Sequence, residues 1–140
     1  MRFLPLLLLL TGCDLFYGHA CTLMYVPDQV VLNLNNVDFS EEGLYEFRVQ
    51  GDGDVIVCQI DPESTTNFCR DNSSSYEIFD DSMTLRAWDF APDSLTVTMS
   101  IDDVERHSDT IALEYQEDEP NGEGCGVSYY AEATIDFSGS

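Results

Sequence analysis

Lysine is absent from the 140 residues, and five arginines are the only strong cations against 27 Asp and Glu. A chain of formal charge −22 repels phosphate, which argues against nucleic acid as a direct partner. Histidine is scarce at two residues, and tryptophan occurs once. No Cys-x2-Cys pair exists, and the intervals between Cys21, Cys58, Cys69 and Cys125 do not fit a zinc thiolate site. Long apolar runs are missing as well. The one apolar run of note, Phe3–Leu10, is far shorter than the about 20 residues a membrane-spanning helix needs. Helical periodicity is nearly absent, with Asp80–Asp89 the only segment that competes for it. No internal repeat is visible, and the length suits one domain.

What is there in excess is acid. A surface this negative is first of all a solvated, salt-tolerant one. Two further readings are divalent-cation binding and a basic protein partner. Asp52 and Asp54 in Gly51-Asp52-Gly53-Asp54 could supply oxygens to calcium, the one cofactor kept in view. Turn chemistry alone also explains that cluster. Asp80, Asp81, Asp102 and Asp103 are further acidic pairs expected at the ends of strands.

Period-two alternation runs through the chain from Cys21 onward. Val30–Leu34 reads as a strand with Val30, Leu32 and Leu34 on one face. Leu44–Val49 and Val55–Ile60 flank the turn cluster at 51–54 and read as a hairpin. Asp61–Ser75 reads as a loop containing Cys69, and Tyr76–Phe79 as a short strand. Met83–Trp88 and Leu95–Ile101 alternate cleanly, Asp102–Ser108 reads as a polar connection, and Thr110–Glu117 and Val127–Phe137 close the pattern. Seven to nine strands punctuated by turns point to an all-β fold, an Ig-like or transthyretin-like Greek-key β-sandwich.

Catalytic patterns are weak. His19 falls in a short connecting stretch and His107 in the polar connection, with no nucleophile beside either. His107, Ser108 and Asp109 are adjacent, and neighbours on an extended chain point apart, so they cannot assemble a triad. Paired carboxylates suited to glycoside hydrolysis are expected by chance in so acidic a chain and carry no signal without a cleft. Trp88 falls on the face of Thr84 and Arg86, opposite Met83, Leu85 and Ala87, and is a candidate for stacking on a sugar. One of Tyr129 and Tyr130 must face outward in a regular strand.

The N-terminus carries one positive charge at Arg2, an apolar stretch and a small-residue site, the layout of a secretory signal. Leu10-Thr11-Gly12-Cys13 at its end resembles the lipobox of bacterial lipoproteins. The resemblance implies cleavage before Cys13, residues 1–12 as signal peptide, and diacylation of the Cys13 sulfur. Residues 13–20 would be the lipidated terminus and a short tether, and 21–140 the sandwich. It also implies a membrane partner through two or more acyl chains, enough for stable anchoring, and a domain facing the periplasm or cell exterior. With Arg2 lost, four Arg would face 27 acids, a side-chain charge of −23.

Lipidation would remove Cys13 from pairing and leave four cysteines where disulfides form. Four allow three connectivities. The favoured one is Cys58–Cys69, a strand end with its adjoining loop, and Cys21–Cys125, the N-terminal segment with the loop before the last strand. The tail Tyr115–Phe137 is also similar to that of bacterial lipoproteins of unknown function, which place Pro-Asn-Gly-x-x-Cys-Gly before a final strand. Here the motif is Pro120-Asn121-Gly122-Glu123-Gly124-Cys125-Gly126. Many such tails carry another Cys just after it. Val127–Tyr130 lacks one, which favours a long-range partner for Cys125. The similarity implies no activity. The expected function is thus a non-enzymatic interaction or structural module with an unidentified protein or glycan partner, the alternative being a calcium- or carbohydrate-binding module.

Overall fold

Strict alternation builds two apolar sheet faces that can be buried only against each other. The computed structural model of the chain describes residues 21, 24–60, 69–71 and 74–138. Cys13, the segment read as a signal peptide, the stretch read as a tether with His19, and most of the segment read as the Asp61–Ser75 loop lie outside the described residues. Among the described residues there is no helix, and nine strands form two sheets.

The strands are β1 (Gln29–Asn35), β2 (Tyr45–Gly51), β3 (Asp54–Ile60), β4 (Ser75–Phe79), β5 (Ser82–Trp88), β6 (Ser94–Ile101), β7 (Val104–Ala112), β8 (Gln116–Asp118) and β9 (Ser128–Asp136). One sheet has the order β4-β5-β1-β9-β8, and the other β3-β2-β6-β7. Every pairing is antiparallel except that of β1 with β9, which run parallel from Gln29 beside Tyr130 to Asn35 beside Asp136. The last strand therefore lies inside its sheet, next to the first.

The core is filled by the inward residues of the alternation. Leu32, Leu34, Tyr45, Phe47, Val49, Leu85, Val97 and Ile135 are fully or almost fully buried. Ser74 and Ser128 are the only polar side chains buried with them among the described residues, so no carboxylate is desolvated there. Tyr45 enters with its hydroxyl satisfied, donating to the carbonyls of Asp38 at 3.1 Å and Glu41 at 2.8 Å. Burial pushes that hydroxyl above its ordinary pKa, with a smaller contribution from nearby acids.

Both expected disulfides are present. Cys21–Cys125 joins Cα atoms 5.4 Å apart across 104 residues of sequence, and Cys58–Cys69 joins Cα atoms 4.3 Å apart across 11. On a chain-entropy account their loops are worth about 4–5 and about 3 kcal/mol.

Turns are made by aspartate. Asp52 and Gly53 both have positive φ (49° and 85°) in the two-residue β2–β3 link, as do Asp102 and Asp103 (48° and 65°) between β6 and β7. That is the I′ pattern, whose twist matches paired strands. The second turn corrects the sequence reading of Asp102–Ser108 as a polar connection. The chain turns in two residues and continues as β7, a largely exposed edge strand whose burial does not alternate. A register shift between Met99 and Ser100 opposite β7 adds to the irregularity. The stretch read as Thr110–Glu117 is likewise split, because 113–115 leave the sheet between β7 and β8. Ile111, Leu113 and Tyr115 nevertheless all pack against the core. Asp80–Asp89, the one possible helix, is the turn and strand β5.

Asp102 does more than turn. Its Oδ1 accepts the Leu44 N–H at 2.9 Å, and its own N–H donates to the Leu44 carbonyl at 3.0 Å. Gly43 (φ 142°) lies against the same side chain, and a Cβ there would meet Asp102 Oδ2 at 2.7 Å. Replacing Asp102 by Ala puts a Cβ residue without a capping oxygen into the left-handed region. The expected cost is about 2 kcal/mol, from left-handed strain and a lost hydrogen bond. Asp103→Gly removes strain and one negative charge, and its stability is expected at or above the parent's. Urea midpoints of the two variants test the contrast.

Candidate functional site

The strand directions give the sandwich two poles. At one stand the start of β1, the end of β5, the Asp52-Gly53 turn and the 113–127 connection; at the other stand the 36–44 segment and the Asp80-Asp81 and Asp102-Asp103 turns. The first pole holds the Cys21–Cys125 bond, Trp88 and the larger share of the exposed aromatics. It is the candidate site.

Asp28 organises it. Its Oδ1 accepts the Tyr129 N–H at 2.9 Å and its carbonyl accepts the Asp89 N–H at 2.9 Å, so the residue before β1 clamps both neighbouring strands. The Tyr25 hydroxyl donates to Asp89 Oδ1. That bond is the main cause of the raised Tyr25 pKa, with desolvation and the Asp28 charge adding to it. Asn121 of the Pro-Asn-Gly motif donates from Nδ2 to the Met24 carbonyl at 2.7 Å, tying the motif to the chain just after Cys21. Within that loop the Gly124 N–H donates to Glu119 Oε1 at 3.1 Å, and the Cys125 N–H to the Gly122 carbonyl at 3.0 Å.

Beside this cluster is a hollow of about 240 Å³. Asp54, Asp71, Trp88 and Asp89 line it, with Val55, Ile56 and Phe90 as apolar walls. Trp88 is half-buried on the outer face with Thr84 and Arg86, as its place in the alternation implied. A second recess of about 310 Å³ lies along β8 and β9, lined by Tyr115, Tyr130 and Glu132 among others. Tyr130 donates to Glu132 Oε2 at 3.1 Å, and burial first, then this bond, raises its pKa. Tyr130 shares the outward parity of Glu132 and is half-buried, whereas Tyr129 shares the inward parity of Ala131 and Ile135 and is exposed near the start of the strand, so the pair splits between the two faces.

The candidate calcium oxygens are placed as follows. Asp52 is an exposed left-handed turn residue, and Asp54 is exposed at the first position of β3, facing the hollow. Asp80, Asp81, Asp102 and Asp103 sit at the opposite pole, so the acidic pairs are not brought together. Among the described residues no group of three or more His, Cys, Asp or Glu is arranged to hold a metal ion.

His107 corrects the sequence reading. It lies in β7, not in a loop, half-buried with its ring centroid 4.3 Å from that of Phe137. Its Nε2 is buried and has no hydrogen-bond partner among the described residues. Ser108 shares a hydrogen bond of 3.2 Å with Thr98, and Asp109 Oδ1 accepts the Thr110 N–H. The three adjacent residues therefore serve different neighbours. Sequence reasoning missed Tyr25, Asp28 and Asp89 as well. Tyr25 and Asp89 are 64 residues apart, and no local pattern joins them.

Tyr115 is the most perturbed group here. Its hydroxyl donates to the Pro92 carbonyl at 2.7 Å and its ring meets that of Tyr129 edge-on with centroids 6.3 Å apart. Burial pushes its pKa up to about 12, and the carboxylates of Asp28, Asp52 and Asp93 push the same way. The chain matches no family model, no curated protein and no solved structure.

A raised tyrosine pKa means that the folded state holds its proton where the unfolded state has lost it. That contribution is complete below about pH 10 and is lost as pH rises through about 12. Stability is therefore expected to fall across that window, and the fall should be shallower in Tyr115→Phe. The same variant should lose about 1 kcal/mol at neutral pH through its missing hydrogen bond. Denaturant unfolding of both proteins between pH 7 and 12 checks the slope and the offset.

Proposed function

We propose that the chain is a lipid-anchored extracytoplasmic β-sandwich that works as a non-catalytic interaction or structural module. It is held at a membrane by acyl chains on Cys13 and faces the periplasm or the cell exterior. The cysteines carry this reading. Four of the five are joined in two disulfides, as suits an oxidising compartment. The fifth is the Cys13 of Leu10-Thr11-Gly12-Cys13, directly after a short apolar run with a basic start. One motif thus accounts for the odd cysteine and the apolar N-terminus together. The non-catalytic part rests on the scattered duties of His107, Ser108 and Asp109, which leave no base beside a nucleophile among them.

Growth of a bacterial host expressing the chain with labelled palmitate tests the anchor. Label and membrane association are expected in the parent protein, and both are expected to vanish in Cys13→Ala. A parent protein that takes up no label would remove the reading.

A second reading is favoured by the hollow at Trp88: a carbohydrate-binding module. Trp88 lines the hollow together with Asp54, Asp71 and Asp89, so an aromatic residue stands among acceptors for sugar hydroxyls. A glycan array should then give a saturable signal that Trp88→Ala abolishes, and a parent protein that binds no glycan on the array rejects it.

A further inference from the structure

We infer that the Cys21–Cys125 pole is a membrane-contacting face, resting on the interface of a zwitterionic bilayer with Met24, Tyr25, Val127 and Tyr129 at headgroup depth. The inference rests on the anchor at Cys13.

Two observations carry it. The first is where the exposed apolar groups lie. Met24 is 65% exposed and Tyr25 77%, and Val26, Val55, Val127 and Tyr129 are exposed at the same pole. They form one surface through contacts already described: Asn121 to Met24, Tyr25 to Asp89, Asp28 to Tyr129, and Val55 with Asp89 along one hollow. Tyrosine suits such a place because its ring is apolar and its hydroxyl is wet.

The second is reach. Cys21 follows Cys13 by eight chain steps, which fully extended span at most about 29 Å. The disulfide to Cys125 fixes the root of that span at this pole. The eight steps along β9 alone run about 27 Å along the sandwich. A tether rooted at the near pole brings that pole to the bilayer without spanning the sandwich, whereas the far pole, with Phe79, comes there only with the tether drawn out nearly to its full length. The near pole is the end that the anchor presents.

Charge selects the lipid. Asp28, Asp52, Asp54, Asp89 and Asp93 ring the surface, so an anionic leaflet repels it and a zwitterionic one does not. Contact is therefore expected with phosphatidylcholine or phosphatidylethanolamine interfaces, with the acids left in the headgroup layer.

Trp88, the only tryptophan, stands at this pole and reports on it. The acylated full chain would be reconstituted into phosphatidylcholine vesicles with acyl chains brominated near the headgroup. The expected result is loss of Trp88 emission relative to unbrominated vesicles. Met24→Gln/Tyr25→Gln/Val127→Gln should recover that emission while remaining vesicle-bound, and Phe79→Gln should behave as the parent. Tyr25→Gln alone, at a residue largely outside the core, serves as the second variant and should recover part of the emission. Acylated, vesicle-bound protein with unquenched Trp88 overturns the inference and leaves the anchor standing. Recovery in Phe79→Gln overturns it too. Protein that carries no acyl label and does not float with vesicles removes the anchor, and this face with it.

Discussion

Twenty-seven carboxylates with five arginines must fold without burying a charge, and this requirement shapes the molecule more than any single contact. Isolated buried carboxylates cost many kcal/mol, and there are too few cations to pair them. The sandwich meets the constraint by giving the acids backbone work. Among the described residues five of the six non-glycine positions at positive φ are aspartates, the sixth being Asn36. Others accept hydrogen bonds from main-chain N–H groups, as Asp28 does from Tyr129 and Asp71 from Ser74. Neutral amides supply much of the rest: Asn33 to Glu132, Asn36 to Asp136, Gln59 to Glu46. The bonds from Asn36 and Ser138 hold Asp136 down to a pKa of about 2. The bond from Gln59 is the largest single cause that holds Glu46 below its ordinary range, with the bond and charge of Arg48 adding to it. The ion pairs Arg48–Glu46, Arg86–Glu77 and Arg106–Glu41 are surface pairs of the kind that contributes little.

The same acids protect the sheet edges. An open edge strand invites pairing with another chain, and charge, irregularity or a cover prevents it. β7 carries Glu105, Arg106 and Asp109 and has a register shift against β6. β8 is three residues long with two acids. β3 is partly covered, because Arg70 donates its N–H to the Val57 carbonyl and Cys69 is bonded to Cys58. Inside the sheet the first and last strands run side by side in parallel, and the Cys21–Cys125 bond ties the segments leading into them at one pole. The first and last strands are thereby fixed to each other by hydrogen bonds along their length and by one covalent link between the segments that lead into them.

Where a strand is buried on one face the sequence announces it, and where it is not the pattern fades. β5 and β6 alternate without a break, and their inward residues Met83, Leu85, Ala87, Val97 and Met99 were legible as such. β7 is an edge strand with only His107 and Ile111 half-buried, so it lacks the alternation that would reveal it. Its turn was missed because Asp102-Asp103 does the work usually given to Asn-Gly. The disulfides could be read because the cysteines were few and their segments well placed. The candidate site could be read only in part. Trp88 and the outward place of Tyr130 follow from strand parity, whereas the exposure of Tyr129 and the Tyr25–Asp89 and Asp28–Tyr129 bonds depend on how sheets and loops close in space.

The two poles solve the turn problem differently, and the difference bears on where function can reside. At the far pole the β4–β5 and β6–β7 links are two residues long, and main-chain bonds lock them to the β1–β2 connection: Val37 N–H to the Asp81 carbonyl at 2.7 Å, Asp102 to Leu44. Such links leave little freedom to vary without unseating the core. At the near pole, the chain between β7 and β9 runs as a long excursion interrupted only by the short β8, held by Tyr115, Glu119, Asn121 and Cys125 from within and below. Loops on a rigid scaffold are where binding residues concentrate, since they can change without disturbing the sheets. The pole that carries the larger share of the exposed aromatic groups and the hollow at Trp88 is therefore also the one whose chain is freest of the packing constraints that fix the rest.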